Sequence, residues 1–424
     1  MLKKLFHLFA LTGFLIIYSC SYDQPVIYHE VVVYKLSAEL KAVRDLVPVN
    51  TVVAHRGSTY WVPEETEAAF RWARNIGADY LEADLQITSD GVIIALHDVE
   101  LKRTTNIEEI FPDRADMPAS SFTYEELMRL DAGTWFNLAK PEQARQSFSS
   151  QKQYISTLED LIMIAKGNRI KRNEITHERL YTKVEDESGN VSYTFEYESD
   201  PKDNGHRPGI YIETKEPSVN LDIEQSLYME LDRLGWNILT NPETASGQFY
   251  TGSDGRHKVN VGNTNAKVIL QTFSHESLKN LNNIFAGKIP TCFLLWLGDG
   301  LDDMPSTDIL TYADFINFGI QNNAVFIGPS IAGPPNNYDE LLELWQAELI
   351  HSSGASIHSY SFDTREQMEK YYLDETGSSK PDRPLVDGMF TNRADLTLNF
   401  YYEKGVRSVG AEGSADQILI NLGY

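Results

Sequence analysis

Short apolar blocks alternate with longer amphipathic stretches over most of this chain. Thr51-Val52-Val53-Ala54 reads as a first strand. A helix follows, with Thr66 as N-cap, helical spacing from Ala68 to Ile76, and Gly77 as the left-handed stop. Tyr80 to Leu85 is a second strand, which Gly91 to Leu96 extends or accompanies. Further strands are predicted at Gly209–Thr214, Lys267–Phe273, Thr291–Leu297, Ala313–Asn317, Ala355–Tyr360 and Val386–Phe390. Helical spacing fills intervening stretches such as Thr157–Ala165, Asp222–Leu234 and Tyr338–Ser352. Strands alternating with helices predict a parallel sheet. Eight strands in one domain of this length favour an α/β fold of closed form, a (β/α)8 TIM barrel with an inserted segment after strand 2. Residues 99–156, 168–207 and 236–265 are long connections of the kind that serve as lids or small subdomains.

The polar residues that interrupt this pattern sit at the ends of the strands. His55-Arg56-Gly57 closes the first block, and Glu82 and Asp84 close the second. His97-Asp98 follows the Gly91–Leu96 block, and Glu213 and Lys215 end the next strand. The C-terminal ends of parallel strands are where a β/α barrel builds its active site. Residues two apart in a strand share a face, with Cα atoms ~7 Å apart. Glu82 and Asp84 therefore point one way while Leu81, Ala83 and Leu85 point the other. Tyr211, Glu213 and Lys215 repeat that parity. Three carboxylates from two strands make an oxygen-rich site suited to Ca²⁺ or Mg²⁺ rather than zinc. His55 and His97 are candidate proton-transfer groups, because imidazole titrates near neutrality. Arg56 can hold a phosphate with a forked pair of hydrogen bonds, and Lys215 adds a compact charge. Glu64 can orient His55, Arg56 or a substrate hydroxyl, or serve as a partner for a helix dipole. Together these groups suit metal-assisted cleavage of a phosphate ester.

Charge sharpens that picture. With 61 acidic against 37 basic residues, the net charge is −24. Such a field disfavours nucleic acid and anionic membrane surfaces as partners. An anionic substrate needs local cations, and a small-molecule substrate is expected, with no protein partner implied. Residues 1–20 read as an export signal, with Lys3 and Lys4 ahead of the apolar stretch Leu8–Ile17. The ending Ile17-Tyr18-Ser19-Cys20 resembles a bacterial lipoprotein cleavage site, which would make Cys20 the lipidated N-terminus. The expectation is an exported protein of the cell envelope, held at the membrane by that anchor only. The other cysteine, Cys292, lies in an apolar run and reads as a buried thiol. The expected organisation is a signal at 1–20, a tether and short helix at 21–48, a barrel at 49–402 with its insertion at 99–156, and a tail at 403–424.

Several motifs occur together in order. They are Ala54-His55-Arg56-Gly57, Pro63-Glu64-Glu65-Thr66, Gly77 to Asp84, and Leu96-His97-Asp98. Arg103-Thr104-Thr105, Leu130 to Phe136, Tyr211 to Lys215, and Val386 to Thr391 follow. In this the chain resembles the glycerophosphodiester phosphodiesterase family, from about residue 50 to about residue 400, and looks closest to its exported branch. The resemblance implies hydrolysis of glycerophosphodiesters to sn-glycerol 3-phosphate and an alcohol. It implies a divalent cation, Ca²⁺ or Mg²⁺, on Glu82, Asp84 and Glu213. The catalytic roles fall on His55 and His97, and the phosphate contacts on Arg56 and Lys215. Glu65 departs from the asparagine of many members, and Tyr360 from a tryptophan beside the glycerol, so both bear on substrate detail. A related barrel phospholipase acting on lysophospholipids or sphingolipids, and a non-catalytic binding lipoprotein, are the alternatives.

Overall fold

The computed structural model describes residues 30–297, 308–372 and 384–424. The chain divides into a short unit ending at Val32 and a large one from Val33 to Tyr424, and every element named below lies in the second. The export signal and Cys20 fall outside the described residues.

Eight parallel strands close into a barrel. They are β1 (Thr51–Ala54), β2 (Tyr80–Ile87), β3 (Gly209–Thr214), β4 (Val268–Thr272), β5 (Thr291–Leu295), β6 (Phe326–Pro329), β7 (Ser356–Phe362) and β8 (Gly388–Thr391). Closure is set by β1, which pairs with β8 through Thr51↔Gly388 to Ala54↔Thr391 and with β2 through Val53↔Tyr80. Helices α1 (Glu67–Ile76), α2 (Leu158–Ala165), α3 (Ile223–Arg233), α4 (His275–Phe285), α5 (Ile309–Gln321), α6 (Leu344–Ser353), α7 (Arg365–Tyr372) and α8 (Ala394–Glu403) follow the strands in turn. Their apolar faces and the strands form one core that includes Val52, Trp72, Ile212, Phe293, Ile357 and Phe390.

The sixth strand corrects the sequence reading. Ala313–Asn317 lies inside α5, and Phe326–Pro329 is the strand. Buried positions Tyr312, Ala313, Phe315, Ile316, Gly319 and Ile320 follow helical spacing, which a five-residue window hides. Gly328-Pro329 looks like a turn in sequence. Here Pro329 ends a strand, and a Cβ on Gly328 would lie 2.7 Å from Leu294 Cδ2, so glycine permits close strand packing. Helix α6 also begins at Leu344 rather than Tyr338, where Glu343 and Gln346 form a capping box.

The insertion after β2 has its own structure. Ile93–Ala95 adds to β2 antiparallel, through Leu85↔Ala95 to Ile87↔Ile93. Leu101, Ile107, Phe122, Tyr124, Leu127 and Ile155 build a second core on it. The charged stretch beyond α2 contributes Phe195 to that core, from a hairpin of Tyr181–Glu185 and Val191–Phe195. The last residues form a helix, Ala415–Leu422, packed on α1, where Trp72 Nε1 donates to the Ala415 carbonyl at 3.1 Å.

Candidate active site

The chain leaves β1 in a tight turn, with positive φ at Arg56 (49°), Gly57 (83°) and Ser58 (74°). A Cβ on Gly57 would lie 2.5 Å from Ala69 Cβ, so only glycine lets this turn rest on α1. The turn fixes two functional groups. The Arg56 backbone N–H donates to Glu82 Oε2 at 2.7 Å, and its guanidinium Nε lies 3.1 Å from Asp84 Oδ2. His55 Nδ1 lies 2.8 Å from Asn392 Oδ1 just beyond β8; the amide oxygen can only accept, so that nitrogen carries the proton and Nε2 is left for chemistry.

Register brings the carboxylates together. Asp84 pairs with Glu213, and Glu213 with Gln271, so the three stand at one level of adjoining strands. Glu82 is buried beside them and accepts from Gln271 Nε2 at 2.8 Å. One oxygen from each of Glu82, Asp84 and Glu213 lies within 4.8 Å of the others. Lys215 Nζ is 3.3 Å from Glu213 Oε1 and 3.8 Å from Asp84 Oδ1. His97 follows the short added strand, where the Leu96 N–H donates to the Asp84 carbonyl at 2.8 Å. Its Nδ1–H donates to Asp98 Oδ1 at 2.6 Å.

Electrostatics separate the three acids. Burial would raise Asp84, but Lys215, His97 and Arg56 outweigh it and hold that carboxyl well below the usual range. Burial and the Asp84 charge push Glu82 well up. Burial, only partly offset by Lys215, raises Glu213 to about 8. Burial and Arg56 push His55 down to about 3, and the same two causes lower His97, so both rings favour the neutral form. Glu82 and Glu213 are thus held above the usual carboxylate range, while Asp84 beside them is held below it. An all-oxygen donor set short of positive charge fits a hard divalent cation.

These groups line one cavity of about 590 Å³. Its charged floor holds His55, Arg56, Glu82, Asp84, His97, Glu213 and Lys215, and Phe273, Trp296, Tyr338, Tyr360 and Phe390 form an aromatic wall.

Residues 55–235 match the model of the glycerophosphoryl diester phosphodiesterase family. A glycerophosphodiester phosphodiesterase of Bacillus subtilis is 28% identical over 346 residues, which are 81% of this chain and 84% of that protein. Human glycerophosphodiester phosphodiesterase domain-containing protein 5 is 40% identical over 131 residues, 30% of this chain but only 22% of that protein. Among solved structures, a glycerophosphoryl diester phosphodiesterase from Silicibacter pomeroyi superposes with a TM-score of 0.53 at 16% identity, covering 87% of this chain and 98% of that one; this likeness speaks to the fold.

Residues 55–235 carry the domain of the glycerophosphodiester phosphodiesterase family, and the Bacillus subtilis relative extends that likeness over most of the chain.

Of the residues singled out in the sequence, seven meet on the cavity floor and Tyr360 stands in its wall, its hydroxyl donating to the Leu295 carbonyl at 2.7 Å. Glu64 stands behind the floor, paired with Arg103 at 2.7 Å and with Arg56 at 3.4 Å. Glu65, the departure from asparagine, is buried and accepts the Asp84 N–H at 2.7 Å; burial and the Asp84 charge raise its carboxyl well above the usual range. Sequence reasoning missed Gln271 and Asn392 as supports. A glutamine in the apolar run Val268–Thr272 is a signal that could have pointed to Gln271. Asn392 carries no such signal, because its partner lies 337 positions away.

Proposed function

We propose that this protein hydrolyses glycerophosphodiesters to sn-glycerol 3-phosphate and an alcohol, by two-histidine acid/base catalysis assisted by a divalent cation. The observation that carries the reading is the meeting of two imidazoles, three carboxylates, one guanidinium and one ammonium on a single cavity floor. Glu82, Asp84 and Glu213 would hold the cation, Ca²⁺ or Mg²⁺. Bound there, it would offset phosphate charge and favour ionisation of a nearby hydroxyl. Arg56 and Lys215 orient the phosphate. One histidine takes the proton of the glycerol 2-hydroxyl as that oxygen attacks phosphorus and forms a cyclic phosphate. The other protonates the departing alkoxide, and water then opens the ring with the roles exchanged. Each ring is engaged at Nδ1, His55 by Asn392 and His97 by Asp98, which supports a role for both Nε2 atoms in proton transfer.

The test is a coupled assay for glycerol 3-phosphate from glycerophosphocholine, glycerophosphoethanolamine and glycerophosphoglycerol, with lysophosphatidylcholine as the competing substrate. Release of glycerol 3-phosphate from the soluble diesters is expected. Turnover of the lysolipid alone, or cleavage to phosphocholine and glycerol, would overturn the reading. The signal-like residues 1–20 support export and anchoring through Cys20. Cys20→Ala should then move the protein from the membrane to the soluble fraction, and undiminished membrane retention would contradict the anchor.

A further inference from the structure

The Arg103-Thr104-Thr105 motif has no part in the chemistry above, yet Arg103 lines the cavity and holds two carboxylates at once. Its Nε donates to Asp98 Oδ2 at 2.5 Å and its Nη2 to Asp98 Oδ1 at 3.1 Å. The same guanidinium donates from Nη1 to Glu64 Oε2 at 2.9 Å and from Nη2 to Glu64 Oε1 at 2.7 Å. Asp98 in turn accepts from His97, and Glu64 faces Arg56. Behind the guanidinium lies the Trp135 ring, 6.0 Å to its centroid, itself pinned by Nε1 donating to the Ala132 carbonyl.

We propose that Arg103 is a positioning residue: a crossbar that fixes the His97–Asp98 pair of one loop to the Glu64–Arg56 pair of another. The inference rests on the phosphodiesterase reading above. His97 and Asp98 follow an added strand of only three residues, so little regular structure holds them. The His97 side chain is 30% exposed, and its hydrogen bond is to Asp98, itself about a third exposed. A forked guanidinium that bonds two carboxylates at once supplies a constraint there. Each of its three nitrogens is engaged by a carboxylate, so Arg103 is poorly placed to bind phosphate although it lines the cavity. Its loss should therefore lower kcat rather than raise KM. Lysine cannot reproduce the fork.

The experiment uses the full chain with added Ca²⁺ and glycerophosphocholine as probe. Arg103→Met should lower kcat by about 10- to 100-fold with KM within about threefold, the range seen when a supporting partner is removed. Arg103→Lys should not restore it, whereas added guanidinium ion should recover part of it in Arg103→Met. A second readout needs no turnover. The His97 imidazole, followed by NMR and assigned with His97→Gln, should titrate at higher pH in Arg103→Met, because a nearby cation is gone. It should titrate at lower pH in Asp98→Asn, because its anion is gone. Wild-type kcat in Arg103→Met, a loss confined to KM, or a His97 titration unmoved in both variants would overturn the proposal. A wild type that titrates as expected but releases no glycerol 3-phosphate would instead sink the phosphodiesterase reading.

Discussion

Two buried charge clusters sit at different places in this fold, and they are built on opposite principles. Under α1, Asp200 receives Arg71 Nε at 2.8 Å, Arg71 Nη2 at 2.9 Å, Arg74 Nη2 at 2.6 Å and the Lys202 N–H at 2.9 Å. Burial would raise this carboxyl, but Arg71 and Arg74 hold it down to about 2. Every lone pair there has a donor, and the cluster is closed. At the mouth of the barrel three carboxylates share Arg56 and Lys215, and the Lys215 contacts are long, 3.3 and 3.8 Å. Burial and the neighbouring Asp84 charge raise both Glu82 and Glu213 above the usual carboxylate range. A structural cluster is balanced by the protein alone. The mouth is left short of positive charge, which the proposed cation would supply.

Breaking the mouth should abolish chemistry and spare the fold. His55→Ala and His97→Ala should each lower kcat by about 10²- to 10⁴-fold, the usual contribution of positioned acid/base groups. Circular dichroism and thermal unfolding should stay near wild type. Wild-type-like rates in either variant would remove that histidine from the proposed pair.

Breaking the closed cluster should do the reverse. Asp200→Asn leaves two buried guanidinium groups short of their anion and should destabilise by about 3–5 kcal/mol. Activity per folded molecule should be unchanged. The pH dependence has a definite sign. A carboxyl depressed to about 2 in the folded state, from about 3.9 unfolded, contributes stability that is fully present above the unfolded value and lost as pH falls through about 2. Denaturant titrations between pH 5 and pH 2 should therefore show the wild-type advantage over Asp200→Asn shrinking as acid is added. A constant difference would contradict the pairing.

A smaller effect should come from the supports. Asn392→Ala removes the acceptor for His55 Nδ1–H and should lower kcat about tenfold, the low end of losses seen when a supporting hydrogen bond is deleted. An unchanged pH–rate profile and kcat would show that Asn392 has no part in orienting the ring.

The same contrast explains what was legible in the sequence. Parity along β2 and β3 places Glu82, Asp84 and Glu213 on one face because the side-chain period of a strand is two residues, a local property. Each of the histidine loops directly follows its own short strand, so His55 and His97 were also legible. The barrel itself followed from the alternation of strands and helices. The sixth strand was misread because an apolar face of α5 outscored four residues ending in Gly328-Pro329. Asn392 and Gln271 depend on partners 337 and 189 positions away, and Arg103 joins two loops, so no periodic local pattern encodes their roles. The closed cluster was invisible for the same reason: Arg71 and Asp200 are 129 positions apart.

The most direct measurement is titration calorimetry of Ca²⁺ or Mg²⁺ into chelator-treated protein at pH 7, repeated in buffers of different ionisation enthalpy. One ion should bind per chain with release of protons, since burial raises Glu213 to about 8 and raises Glu82 as well, and Asp84→Asn should abolish the binding. No saturable binding in the wild type, or binding undiminished in Asp84→Asn, would contradict the claim that these carboxylates await a cation.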